Sequence, residues 1–237
     1  MSILKVIISL VFSSASLIAN DLPDLIKKMR ERIAEPAQLN QIHSIKYIGK
    51  FKNGDNDFGA IEVSFQKPDL QRIEISSLNT RIIRLVGENI GFIYSKNLDT
   101  NQSSHSVMPS RMYDFLRINA IENLFFFQPP KLEKVVSQLG DELDWDGSKA
   151  VEVLFKYPNG STYTRYVEPQ TGRILATIMP DGAKVVEGGD LIVDKIRFPK
   201  KVSTFNLQDE LISTLTFETI IINPKFEEQY FMYNSSQ

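Results

Sequence analysis

Apolar residues recur along this chain at two different periods. From Asp21 to Ala34 they fall at helical spacing: Leu22, Leu25, Ile26, Met29 and Ile33, with Pro23 near the start and Glu35-Pro36 at the end. This pattern predicts an amphipathic helix. Alternation takes over from Ile45, where Ile45, Tyr47, Gly49 and Phe51 interleave with Lys46, Ile48, Lys50 and Lys52. Ile61, Val63 and Phe65 alternate in the same way, followed by Ile73 and Ile75, then 81–86 and 90–95. Asn53 to Asp57, Lys67-Pro68-Asp69 and Gly87-Glu88-Asn89 separate these runs, so the pattern predicts a meander of short antiparallel strands.

The middle of the chain breaks the alternation. Residues 99–110 read as a polar loop, and 111–140 read as helical. Met112, Phe115, Leu116, Ile118, Ile121, Leu124 and Phe125 make one stripe, and Leu132, Val135, Val136 and Leu139 make another, with Pro129-Pro130 between them. Strands resume at Ala150 and include 163–168, 174–179, 191–205 and 211–222. The expected organisation is sheet, helical insertion, sheet, with about nine to eleven strands in one strongly bent antiparallel sheet. The N-terminal helix and the 111–140 segment are expected on its concave face.

The first residues change the cellular picture. Lys5 precedes an uncharged apolar stretch from Val6 to Ile18, the pattern of a secretory signal peptide. Residues 1–19 are assigned to the signal, with the cut after Ala19 and with Ala15 and Ser16 as alternatives, and 20–237 to one domain. The run is short for a membrane span. The sequence contains no cysteine, so neither disulfides nor an N-terminal lipid anchor are expected. A periplasmic location without a stable membrane anchor follows as the expectation. The formal net charge is −2 with no basic stripe, which gives no support to nucleic-acid binding.

Catalytic patterns find no footing. His43 and His105 are the only histidines, far apart and outside any metal-ligand spacing. There is no nucleophile elbow, phosphate loop or dinucleotide fingerprint. The acidic stretch from Asp141 to Gly147 has the alternation of a calcium loop, but Val153 stands where the loop needs its final glutamate. It reads as an exposed hairpin turn with Trp145 packed inward. The expectation is therefore a non-enzymatic protein without cofactor or metal. Its informative feature is apolar surplus: Phe125-Phe126-Phe127 cannot all be buried by one helical face. Either the helices fill their own core against the sheet, or they cover an apolar cavity that accepts a lipid.

Several short segments, in order, resemble the LolA/LolB-like outer-membrane lipoprotein-sorting proteins. They are the helix before Ser44 to Phe51, then Phe65-Gln66-Lys67-Pro68-Asp69 leading into 70–74, Ile90 to Tyr94, Tyr166 to Gly172, Asp194 to Pro199, and Ile222 to Phe226. The chain differs from the family pattern at Gly87-Glu88-Asn89, where an Asp-Gly turn is usual, and at Phe92, where tryptophan or tyrosine is usual. The resemblance implies a mainly β fold with some helix, an incomplete and strongly curved antiparallel β-barrel whose open mouth is covered by helices. It implies a carrier that holds lipoprotein acyl chains on the concave side and delivers them toward the outer membrane. Its partners would be acylated lipoproteins or lipid, an inner-membrane exporter and an outer-membrane acceptor. The alternative is a periplasmic binder or sensor of another lipid or glycolipid.

Combined with the alternation, this gives a candidate lipid-binding set of Ile61, Val63, Phe65, Ile73, Ile75, Phe92, Tyr94, Met112, Phe115, Leu116, Leu124 and Phe125. The resemblance also assigns lid control to Lys67, the basic residue before the Pro of its turn. Lysine stands there in place of the arginine of the best-known carriers.

Overall fold

A computed structural model describes residues 21–54 and 56–233. The assigned signal peptide lies outside the described residues. Helix α1 (Leu22–Ile33) starts with Pro in its first turn and buries Leu25 and Met29, the centre of the expected stripe. It stops where Ala34 becomes extended. A short helix α2 (Pro36–Asn40) follows immediately and buries Leu39.

The strands are β1 (Ser44–Asn53), β2 (Asn56–Gln66), β3 (Leu70–Ser76), β4 (Thr80–Val86), β5 (Gly91–Asn97) and β6 (Ser103–Val107). Helix α3 (Ser110–Phe125) and a single 3-10 turn (Lys131–Glu133) come next. Then follow β7 (Val136–Trp145), β8 (Ser148–Lys156), β9 (Thr162–Glu168), β10 (Arg173–Ile178), β11 (Lys184–Val193), β12 (Ile196–Phe205) and β13 (Leu211–Ile222). All belong to one antiparallel sheet in the order β6-β5-β4-β3-β2-β1-β13-β12-β11-β10-β9-β8-β7. The sheet is strongly curled and unclosed, with β6 and β7 as its edges. The chain from β6 to β7 carries α3, so the helix belongs to the link between the two free edges.

Thirteen strands exceed the expected nine to eleven, for three identifiable reasons. β6 is polar and exposed throughout, so its sequence carries no burial signal. The second helical stripe is wrong: Leu132 is almost fully exposed, and Val136 and Leu139 belong to β7. Pairing with β8, interrupted by a bulge near Gly140, satisfies that backbone better than an isolated short helix would. Finally, 191–205 is two strands. Its turn, Asp194-Lys195, has both residues at positive φ, a tight hairpin geometry that sequence usually announces with Asn-Gly.

The two longer helices, α1 and α3, pack on the concave face. Leu25 and Met29 of α1 join Ile118 and Ile121 of α3 against Val151, Val153, Phe155 and Val167. A second cluster joins Ala120, Leu124 and Phe126 to Ile45, Tyr47, Phe65 and Phe217. A third sets Leu116 and Met108 against Val86. Gly172, at φ +69 in the β9–β10 turn, lets α1 approach closely, because a Cβ there would lie 2.5 Å from the backbone of Lys28 and Met29. Lys28 adds a hydrogen bond from Nζ to the Pro169 carbonyl at 3.0 Å.

The convex face of β1–β5 is covered too. The C-terminal segment 226–233 lies across it, and the Tyr230 hydroxyl donates to Glu62 at 2.6 Å. Arg72 stacks under the Tyr230 ring and donates to its carbonyl. This cover explains why Ile83 and Leu85, which point away from the concave side, are nonetheless buried.

Candidate functional site

Between the curled sheet and the two helices lies a cavity of about 690 Å³. Its sheet wall is built by alternation. Ile61 pairs with Ile75 and Val63 with Ile73, so one row of aliphatic side chains faces inward across β2 and β3. Tyr47 and Phe51 extend the wall on β1, Leu215 and Phe217 on β13, and Phe198 and Val202 on β12. Phe115, Leu116, Phe126 and Phe127 close it from α3 and the segment after it, and Met29 and Ile33 from α1.

Of the candidate lipid-binding residues, Ile61, Val63, Phe65, Ile73, Ile75, Phe115 and Leu116 border this cavity. The other five sit elsewhere. Met112 packs beside Val86 and Met108. Leu124 is fully buried between α3 and β1. Phe125 is wedged between the two larger clusters. Phe92 and Tyr94 are on the wrong face, and their inward assignment is corrected. In β5 it is Ile93 that shares the face of Arg84. Phe92 instead stacks on Tyr233 with centroids 5.1 Å apart, and His105 stacks on the same tyrosine. Two aromatics in alternation looked like a cavity wall because the apolar cover on the convex side comes from residues more than a hundred positions later. Trp145 is a similar correction: it stacks on Tyr166, on the opposite face from Arg165. Asp144 caps the acidic turn by accepting from the Gly147 amide at 2.7 Å, and no group of metal-ligating side chains forms among the described residues.

The Phe125-Phe126-Phe127 run resolves by ending the helix. Phe126 and Phe127 both adopt positive φ, 49° and 66°, so the three rings leave in different directions. Such backbone is unfavourable for large side chains and needs support. Arg30 of α1 supplies it: Nη1 donates to the carbonyls of Phe125 and Phe126, each at 2.8 Å, and Nη2 donates to Asn40 at 2.9 Å. Sequence reading missed Arg30, which looks like one more cation on the polar side of α1 yet is 5% exposed.

Lys67 lies next to the same point. Its Nζ sits 4.9 Å from the Phe125 ring centroid, a cation–π contact with the end of α3. Burial and the nearby Arg30 guanidinium lower its pKa. The carbonyls at the end of α3 are thus held by Arg30, while Lys67 meets a ring.

The cavity also has a polar sector. Arg165 on β9 is buried, pairs through Nη2 with Glu122 of α3, and lies over the rings of Phe127 and Phe155. Glu122 accepts a second hydrogen bond from the Tyr157 hydroxyl. Burial first, then the Glu122 charge, pushes the Tyr157 and Tyr163 hydroxyls well above the usual tyrosine range. Glu187 borders the cavity with its side chain exposed, and desolvation by the surrounding walls raises its carboxyl pKa, with Arg165 pulling the other way. Gln71 reaches Asn119 across the cavity, and Asn123 reaches the same residue.

An unclosed, curled antiparallel sheet holding helices in its concavity is what three solved structures share with this chain. A DUF1329-family protein from Desulfovibrio piger matches with a TM-score of 0.56 at 11% identity, over 88% of this chain and 96% of that one. A lipoprotein-sorting domain described from Vibrio parahaemolyticus matches at 0.53 and 11% identity, over 88% and 95%. A LolA-superfamily protein from Nitrosomonas europaea matches at 0.53 and 9% identity, over 89% and 97%. The fold is LolA-like. No family model matches the sequence, and no curated relative does. With the LolA-like fold in hand, α1 and α3 take the place of the helices expected over the barrel mouth, and the cavity beneath them is where the acyl-chain expectation is to be tested.

Proposed function

We propose that this protein is a non-enzymatic periplasmic carrier that takes the acyl chains of lipoproteins into the cavity and delivers them toward the outer membrane. The observation that supports this most is the inward row Ile61, Val63, Ile73 and Ile75 facing Phe115 and Leu116 across the cavity. Each methylene moved from water into such a wall gains about 0.8 kcal/mol. An acyl chain therefore has reason to enter, and the LolA-like fold is compatible with that use. Release requires the helices to move, which means parting the apolar packing of Leu124 and Phe126 together with two polar connections at the end of α3, Arg30 on its carbonyls and Lys67 on the Phe125 ring. Lys67 has the role of lid control in this reading. The partners are acylated lipoproteins or lipid, handed on by an inner-membrane exporter and received by an outer-membrane acceptor.

The test is extraction. Inner-membrane vesicles carrying an acylated lipoprotein are incubated with the protein, with and without an exporter fraction, and soluble complexes are counted. Soluble complexes with the acylated form and none with its unacylated variant support the reading. Equal recovery of both forms overturns it. The polar sector favours one alternative, a binder of a lipid that is not purely hydrocarbon at its buried end.

A further inference from the structure

The cavity's charge is opposite to the protein's. The whole chain is formally −2, yet five arginines border the cavity (Arg32, Arg84, Arg165, Arg173 and Arg197) against three carboxylates (Glu122, Glu187 and Asp190). Arg165 is paired with Glu122 through Nη2, although its Nη1 is buried without a partner, and Arg197 is paired with Asp190. Arg32 and Arg173 are exposed to solvent, where an unpaired cation costs little. Arg84 is different. It sits on the inward face of β4, half-buried, directly between Ile73 of β3 and Ile93 of β5. Its Nε is buried and has no hydrogen-bond partner, and no ion pair reaches it among the described residues.

A wall meant for hydrocarbon alone would be better served by leucine at this position, since an unpaired guanidinium among isoleucines forfeits hydration without return. Gln71, diagonally across the sheet from Arg84 by way of Val86, repeats the anomaly. It is 1% exposed, lines the cavity, and its Oε1 has no partner. The unmet Arg84 Nε is a donor and calls for an acceptor; the unmet Gln71 Oε1 is itself an acceptor, so it marks this end of the wall as polar without adding to an anion site. Arginine, planar and permanently charged, matches a carboxylate or phosphate through paired hydrogen bonds.

We propose that the cavity selects an amphiphile with an anionic head, phosphate or carboxylate, which Arg84 binds while Ile61, Ile73, Ile75 and Phe115 take the chain. This rests on the acyl-chain reading of the cavity but takes its alternative cargo, a free anionic lipid, because the lipidated cysteine of a lipoprotein carries no phosphate or carboxylate head. Bidentate recognition on a half-desolvated wall should favour the anionic head by about tenfold or more over a neutral one.

The test compares amphiphiles that share one saturated chain: a lysophosphatidic acid, the free fatty acid and the neutral monoacylglycerol. Each competes with Nile red for the full protein, below its micelle concentration. The expected result is that the anionic amphiphiles displace the dye at about tenfold lower concentration than the monoacylglycerol. In Arg84→Leu that gap disappears while monoacylglycerol binding is kept, and Arg84→Lys, a charge without the fork, retains part of the gap. A gap for phosphate alone or carboxylate alone, lost in Arg84→Leu, supports the site and identifies the head. Equal competition by all three in the wild type, or a gap that survives in Arg84→Leu, overturns the proposal while leaving acyl binding intact. No binding of dye or any amphiphile overturns the acyl-binding reading itself. Arg84→Gln serves where Arg84→Leu fails to fold.

Discussion

Arg30 and Phe126 meet where the two helices of the concave face join: the guanidinium of one donates to the carbonyl of the other at 2.8 Å, just where the backbone turns left-handed. Burial lowers the Arg30 pKa, a cost offset by three acceptors, the carbonyls of Phe125 and Phe126 and the side chain of Asn40. Replacing Arg30 by Met should cost about 2–4 kcal/mol of stability, because several charge-assisted hydrogen bonds go at once. The same change should speed entry and exit of an apolar dye. Urea unfolding and stopped-flow dye exchange check both. Unchanged exchange with lowered stability would make Arg30 a core residue with no part in opening.

Lys67 touches the end of α3 through one cation–π contact with Phe125, worth about 0.5–2 kcal/mol. Lys67→Leu should therefore change stability by less than Arg30→Met, and should alter the rate at which bound lipoprotein passes to an acceptor. Transfer rates and melting curves of the two proteins, measured side by side, decide it. Identical transfer rates would leave Lys67 without a role in release.

Glu122 holds Arg165 and Tyr157 together at the polar sector of the cavity. Both charged side chains are at least nine-tenths buried. Glu122→Leu leaves the guanidinium unpaired and should cost about 3–5 kcal/mol, whereas adding Arg165→Met should recover much of that loss. Denaturant unfolding of the single and double variants measures it. A double variant as unstable as the sum of both singles would show that the pair acts through packing and not through charge.

Glu74 offers a pH test of the convex face. Burial alone would raise its carboxyl, but Arg81 at 2.7 Å and Arg72 at 3.1 Å outweigh it and hold the pKa below the usual carboxylate range. A carboxyl with a lowered folded pKa stabilises fully above its unfolded value, near 4.3, and loses that contribution as pH falls through the folded value. Glu74→Gln should thus be about 1–2 kcal/mol less stable than wild type at pH 7, and the difference should be smaller at pH 3. Urea unfolding at the two pH values reads it, and a difference that does not depend on pH contradicts the assignment.

What the sequence revealed followed from burial on one face. α1 and the first half of the sheet were legible because Leu25, Met29, Ile45, Tyr47, Ile61 and Phe65 are buried at the period of their element. Legibility failed where that link breaks. β6 buries nothing, and Asp194-Lys195 makes a tight turn without the glycine that usually marks one. In β5 a distant tail covers the outer face, so Phe92 and Ile93 compete for the inward role and periodicity cannot choose between them. The polar features of the cavity were hidden for a similar reason. Arg84 and Arg165 border the cavity and Arg30 is buried beside it, yet nothing in their spacing along the chain sets them apart from surface cations.

Native mass spectrometry of the gently purified protein tests most directly whether the cavity holds an acyl chain. A bound acylated species at about one per chain is expected, lost or sharply reduced when Ile73→Arg and Ile75→Arg place two charges on the inward row. Wild-type protein that appears only at the mass of the bare polypeptide, even after incubation with lipid vesicles and acylated lipoprotein, would contradict it.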